Sequence, residues 1–287
     1  CQKALTLMPG PITPATYKLS LTTTQADAAE IALENFGATI WATQDDKTGG
    51  TRFEVYFDTP PDISALHLPP DAAPVVENLP AKDWVGESQA GLPPITIAPF
   101  YLHGQHDAPR GGGWRNIEMQ AATAFGSGHH GTTQGALALL SAHLKRHHPR
   151  HMADIGCGTG VLAIAAAKSG VRHILASDID PDAIHVARQN MRRNQVAPHI
   201  TAFPATGMAH PQYRARRFDL IIANILALPL RQLADAFHRH LSPNGRVIIA
   251  GILTPQARRV IARYRAADLI VERKITIGAW TSLCFRR

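Results

Sequence analysis

Apolar and polar positions alternate at the start of the chain. Tyr17, Leu19 and Leu21 are separated by polar residues, the period of a half-buried strand. Ala28, Ile31, Ala32 and Phe36 then recur at helical spacing, with Gly37 placed to close the helix. Thr39–Ala42 and Arg52–Phe57 read as two further strands, separated by the turn-rich stretch Asp45–Gly50. This order predicts a small α+β domain over residues 1–80, a sheet and a helix packed as a sandwich. Prolines at 60–61, 69–70 and 93–94, followed by Gly111-Gly112-Gly113, break the pattern. Residues 81–115 are therefore expected to be an irregular linker, with Trp84, Phe100 and Tyr101 as its apolar anchors.

Over residues 116–287 the rhythm changes. Apolar runs at Met152–Ile155, Ile174–Ser177, Phe218–Ala223 and Val247–Ala250 predict strands. Helical patterns fall between or after them, at Val161–Ser169, Pro181–Asn194, Leu228–His240 and Pro255–Arg265. Strands this uniformly apolar need helices on both faces, so the fold class predicted is α/β, a mainly parallel doubly wound sheet of Rossmann-like type.

Composition adds limits. The chain has 287 residues, 45% hydrophobic and 18% charged, as expected of a soluble globular protein of two domains. No stretch approaches the roughly 18 apolar residues of a membrane span, and the first ten residues make a poor secretory leader. Cys1, Cys157 and Cys284 form no CxxC and no even framework, so a reducing, cytoplasmic compartment is expected. A net charge of +7 favours acidic partners. The basic runs Lys145-Arg146-His147-His148 and Arg214-Ala215-Arg216-Arg217 lack interleaved aromatics that stack bases, so no sequence-specific nucleic acid is expected.

The candidate chemistry begins at Asp154-Ile155-Gly156-Cys157-Gly158-Thr159-Gly160, between a strand and an Ala-rich helix. Glycines there permit a tight turn and a close ligand approach at a helix N-terminus. The spacing is GxGxG rather than the dinucleotide GxGxxG, and an acidic residue precedes it. A carboxylate would repel a pyrophosphate but is compatible with the ammonium and sulfonium of S-adenosylmethionine. Asp178, ending the next strand, can accept from both ribose hydroxyls, whereas Asp180 before Pro181 reads as a helix cap. Asn224 ends a third strand, where its carboxamide can orient an amine or the cofactor. The segment Ala124–Thr133, containing Phe125 and His130, reads as a second ligand-facing loop before a helix. Its adjacent histidines have no HExxH or CxxC beside them, so no metal site is expected. No G-x-S-x-G elbow points to a hydrolase, and no Asn/Asp-Pro-Pro-Tyr/Phe run to a nucleic-acid methylase.

These elements resemble the methyltransferase family of large-subunit ribosomal protein L-eleven, a class I S-adenosylmethionine family of protein lysine methyltransferases. The resemblance covers most of the chain. It is carried by Ala124-Phe125-Gly126-Ser127-Gly128-His129-His130-Gly131-Thr132-Thr133, Asp178-Ile179-Asp180-Pro181, Asn224-Ile225-Leu226-Ala227, Leu241-Ser242-Pro243-Asn244-Gly245 and Lys82-Asp83-Trp84. It implies methylation of lysine ε-amino groups, and of an N-terminal α-amino group, on that ribosomal protein, free or on the ribosome. The N-terminal domain would recognise the substrate and the linker would let it reach several amines. Cofactor contacts would fall on Thr133, Gly156, Asp178 and Asn224, with Asp154, Gly158, Gly160, Phe125 and His130 completing the candidate cofactor set and Asn224 the catalytic candidate. The chain departs from the family at Ser127, His129, Gly131 and Gln120-Ala121-Ala122. Two rival readings are a lysine methyltransferase of another protein, such as an electron-transfer flavoprotein subunit, and a non-catalytic ribosome-binding module.

Overall fold

The computed structural model describes residues 17–25, 28–29, 32–33, 39–44, 50–57, 59–78, 94–119 and 130–287. The chain divides into two compact units, residues 1–87 and 88–287. In the first unit, β1 (Tyr17–Thr23), β2 (Thr39–Gln44), β3 (Thr51–Phe57) and β4 (Val75–Asn78) form one sheet in the order β2-β3-β1-β4. Leu19 and Leu21 pair with Val55 and Phe53 across the central ladder. All four are buried with Ala29 and Leu33, which are helical, so the period-2 and period-3.6 faces meet in one core. Strand β4 lies in the proline-broken stretch. Ile31 and Phe36 lie outside the described residues.

The second unit is built on a seven-stranded sheet. Its strands are β8 (His151–Ile155), β9 (His173–Asp178), β10 (Ile200–Pro204), β11 (Phe218–Asn224), β12 (Leu241–Leu253), β13 (Ile270–Ile277) and β14 (Trp280–Arg286). Their order is β10-β9-β8-β11-β12-β14-β13, and β14 alone runs antiparallel to its two neighbours. From β8 the chain steps outward to β9 and β10, then returns to β11 on the other side. The strand order thus reverses between β8 and β11, which opens a crevice beyond their carboxyl ends.

Helices cover both faces, as the apolar strands require. They are α1 (His130–Leu144), α2 (Val161–Lys168), α3 (Pro181–Arg193), α4 (Ala227–His240) and α5 (Ala257–Arg265). Helix α2 buries every residue from Val161 to Ala167, and its alanines let it lie close to the sheet. Helices α4 and α5 bury a single stripe on the other face, including Leu230, Phe237, Val260 and Tyr264. Among the described residues no helix is long and apolar enough to cross a membrane.

Part of the segment expected as irregular linker has regular structure. Strands β5 (Ile95–Ile97), β6 (Phe100–His103) and β7 (Arg115–Glu118) form a small sheet, and Ile95, Phe100, Leu102 and Ile117 join the core of the second unit. Asn194 clamps this sheet to the end of α3, accepting from the Glu118 N–H at 3.0 Å and donating to its carbonyl at 2.7 Å. Residues 81–93, with Lys82-Asp83-Trp84, lie outside the described residues.

Gly251 sits at φ +87° where the β12–β14 register shifts, and a Cβ there would collide with the Ile225 carbonyl. Gly251→Ala is expected to lower unfolding stability by roughly 2–3 kcal/mol through the strained φ and the forced displacement of Ile225, measured by urea denaturation.

Candidate active site

Register brings the candidate residues to one edge. Ile155 pairs with Ser177 on one side and with Ala223 on the other. The residues that follow, Gly156, Asp178 and Asn224, therefore stand in line beyond three adjacent strands, β8, β9 and β11. That line borders the crevice at the topological switch point, where open α/β sheets bind ligands.

The glycine turn is closed by backbone. The Ser177 carbonyl accepts the N–H groups of Gly156 and Cys157 at 2.8 and 2.9 Å. Gly156, Gly158 and Gly160 have φ values of +70°, +50° and +80°, a region in which side-chained residues are strained. A Cβ on Gly156 would run into the Ile225 side chain, and one on Gly160 would press on Met191 at 3.1 Å. A Cβ on Gly158 would meet nothing within 4 Å. Two of the glycines thus serve close packing, and Gly158 faces open space.

Asp178 is half-buried and bonded to the turn. Its Oδ2 accepts the Gly158 N–H at 2.8 Å, and its Oδ1 accepts the Asp180 N–H at 3.1 Å. An ionised carboxylate has about four lone-pair sites, so each oxygen retains one for a further donor. Asp180 caps α3, accepting the Asp182 N–H at 2.8 Å, as its position before Pro181 predicts. Asn224 is half-buried at the end of β11, and its carboxamide has no hydrogen-bond partner among the described residues.

Asp154 is fully buried, so its first role is structural. Its Oδ2 accepts the Ala163 N–H at 3.0 Å in the first turn of α2, where a negative charge is favourable. Its Oδ1 has no partner among the described residues. Burial, and secondarily the charge of Asp178, pushes its carboxyl up to about 7. The same burial raises the Cys157 thiol well above its ordinary range.

Thr133 is half-buried in the first turn of α1, and no hydrogen bond joins it to Gly156, Asp178 or Asn224 among the described residues. The expected loop ends earlier than the sequence pattern predicts, because residues from His130 onward are already helical. Gly131 is accordingly a packing position: a Cβ there would lie 3.0 Å from the Trp280 ring and 3.1 Å from the Ile277 carbonyl. Phe125, with residues 120–129, lies outside the described residues.

Sequence reading missed two supports of the turn. The Tyr213 hydroxyl donates to Ser177 Oγ at 2.7 Å inside the core, next to the carbonyl that closes the turn. Asn190 Nδ2 donates to the Thr159 carbonyl at 3.0 Å, from the buried stripe of α3 that also holds Ile184, Ala187 and Met191. A fully buried amide on that stripe is the signal that could have flagged Asn190. Among the described residues no group of His, Cys, Asp or Glu side chains is arranged to hold a metal ion.

An open sheet in this strand order, with one antiparallel strand inserted and a glycine turn beside an acidic strand end at the switch point, defines a class I S-adenosylmethionine-dependent methyltransferase. The family profile described as ribosomal protein L11 methyltransferase matches residues 66–287, and the chain belongs to that family. Among its relatives, a ribosomal protein L11 methyltransferase of Bradyrhizobium diazoefficiens is 51% identical over 209 residues, covering 72% of this chain and 71% of the relative. One from Rhodopseudomonas palustris is 49% identical over 214 residues, covering 74% and 72%. The crystal structure of a ribosomal protein L11 methylase from Lactobacillus delbrueckii subsp. bulgaricus superposes with a TM-score of 0.60 at 30% identity, covering 68% of this chain and 98% of that one.

The carboxyl of Asp154 gives a pH signature. Its folded value of about 7 lies above the ordinary 3.8, so the folded state holds a proton that the unfolded state releases. Stability therefore falls as pH rises through the interval between those two values, by at most about 1.4 kcal/mol per pH unit. Asp154→Asn keeps an acceptor for Ala163 and cannot ionise. Its stability relative to the parent is expected to improve steadily from pH 4 to 7 in urea titrations, and a flat difference would contradict the buried proton.

Proposed function

We propose that this protein transfers the methyl group of S-adenosylmethionine to amino groups, lysine ε-amines and an N-terminal α-amine, of ribosomal protein L11. The observation that carries the reading is the alignment of Gly156, Asp178 and Asn224 beyond three neighbouring strands, in a chain that belongs to the L11 methyltransferase family. Neither rival is favoured by the relatives, which are methyltransferases named for L11.

The residues present suit this cofactor. Asp178 keeps a free lone pair on each oxygen for the two ribose hydroxyls, while Gly158 leaves room against the backbone. Asp154 Oδ1 is an orphaned buried acceptor, and an ammonium donor would satisfy it and stabilise its charge. Gly156 and Gly160 shape the cradle, and the family resemblance adds Thr133, His130 and Phe125 to the cofactor set. When bound, the cofactor supplies an electrophilic methyl on a sulfonium.

The attacking amine must first be neutral, although an exposed lysine has a pKa near 10.4. Withdrawal from water into the crevice lowers that value. The carboxamide oxygen of Asn224 accepts a hydrogen bond from the amine and aims its lone pair, making orientation the main contribution of this chain to catalysis. With Asn224 holding its N–H, the neutral amine would take up that methyl carbon, the cofactor would leave as a thioether, and the extra amine proton would pass to solvent. The unit at residues 1–87, with its own core, is the part that recognises the protein substrate. An enzyme with such a substrate would work in the cytoplasm.

Incubation of the purified protein with S-adenosylmethionine and purified L11, followed by mass spectrometry, is expected to show methyl additions on L11 amines. Labelling of another lysate protein with none on L11 would sink the substrate assignment. Asp178→Ala is expected to weaken cofactor binding about 10- to 100-fold in calorimetry, the range for losing hydrogen bonds to a charged acceptor. Asn224→Ala should instead lower kcat more than cofactor affinity.

A further inference from the structure

The opposite edge of the large sheet carries a second cavity, of about 360 Å³, at the amino ends of the strands. His151, His173 and Phe218 are the first residues of β8, β9 and β11, and all three line it. Strand β8 has five residues, which puts this cavity about 17 Å from the glycine turn. It is therefore separate from the crevice at the carboxyl ends.

Its lining is cationic. Arg172, Arg216 and Arg217 contribute guanidinium groups, His151, His173 and His199 contribute imidazoles, and no carboxylate lines it. No Asp or Glu lies within ion-pair distance of the three arginines among the described residues. The nearby Asp219 is engaged elsewhere, accepting the backbone N–H groups of Arg150 and His151 at 2.8 and 3.0 Å. Arg217 is committed to the end of α4, donating to the carbonyls of Arg239 and Leu241 at 2.7 and 3.2 Å. Arg172 donates to His199 Nε2 at 3.0 Å, which fixes that ring as an acceptor there and leaves the other guanidinium donors available. Arg216 is exposed; its backbone N–H donates to the Tyr213 carbonyl at 3.1 Å, and its guanidinium makes no hydrogen bond among the described residues. The floor is apolar, formed by Ile174, Leu175 and Phe218.

Gathering unpaired positive charge costs free energy through self-repulsion, and an anion relieves it. Guanidinium forks match the geometry of phosphate oxygens, and the volume falls at the lower end of the range for small-ligand pockets. We infer that this cavity is a phosphate-binding site, in which Arg172 and Arg216 hold the phosphate of a nucleotide-sized group against the apolar floor. The phosphate comes either from a free nucleotide or from the backbone of an RNA strand. The two sources share this chemistry and separate experimentally.

The full chain would be titrated by calorimetry at low ionic strength with uridine 5′-monophosphate and with a short oligouridylate, each with and without saturating S-adenosylhomocysteine. Binding that persists in its presence, and that weakens at least tenfold in Arg172→Ala and Arg216→Ala, is the expected result. Both positions are exposed, so folding should survive, and unchanged S-adenosylhomocysteine affinity in the variants checks it. Binding of the mononucleotide identifies a free nucleotide as sufficient. Binding of the oligonucleotide alone, weakening steeply with salt, identifies an RNA backbone. Absence of binding by both probes, displacement of both by S-adenosylhomocysteine, or indifference to both substitutions would overturn the site. The cofactor's own titration is a separate measurement, so failure of the methyltransferase reading would not be mistaken for failure of this one.

Discussion

One carbonyl group, that of Ser177, holds together the sheet edge that carries the candidate site. By accepting two consecutive N–H groups from the end of β8, it turns the chain away from the sheet while keeping it against β9. A polar group inside a protein must be paired, so this contact closes a turn that would otherwise leave two donors without partners. Tyr213 anchors the same residue from below through its side chain. From this fixed point the other placements follow: the start of α2 over the turn, Asp154 against that helix, and Asp178 within reach of Gly158.

The fit tolerates almost no added volume on its packed side. Ile225, the residue after Asn224, fills the space that side chains at 156 and 251 would need. Among the described residues the carboxamide of Asn224, next to this packed residue, has no hydrogen bond of its own to aim it. Rigid support of this kind is what the proposed role of Asn224 would demand, since small displacements of an oriented nucleophile carry large rate penalties. The side toward the crevice is looser, with Gly158 open and both carboxylate oxygens of Asp178 only partly engaged.

Much of this was legible in the residues. The interior strands β8, β9 and β11 are apolar on both faces, so periodicity and the acids and amide at their ends located the crevice before any coordinates. Strand β10 escaped because it is a short edge strand that ends in Pro204 and mixes exposed Thr201 and Pro204 with buried Ile200, Ala202 and Phe203, which leaves neither an apolar run nor a regular period. Strand β14 is interior, yet it buries Thr281 and Ser282, whose hydroxyls disguise it in a hydropathy pattern. The small sheet at 95–118 escaped because three- and four-residue strands between prolines and glycines leave no period to detect. Asp154 sits in the motif, but its burial and its bond to Ala163 are tertiary facts. The amino-edge cavity draws residues from four strands and three connections, and only the assembled sheet shows them as neighbours.

The insertion of β14 between β12 and β13 has a consequence for biosynthesis. Residues 270–277 emerge from the ribosome before residues 280–286, yet they have no place in the sheet until the later segment seats itself first. Until then β12 is an unpaired rim, with Val247, Ile248 and Ile249 lacking their neighbours Phe285, Cys284 and Leu283. A nascent chain can close the half of the sheet that frames the crevice, but it cannot finish the other half in the order it is made. Completion waits on a hairpin that must dock as one piece, leaving a sticky edge exposed for the duration of that wait.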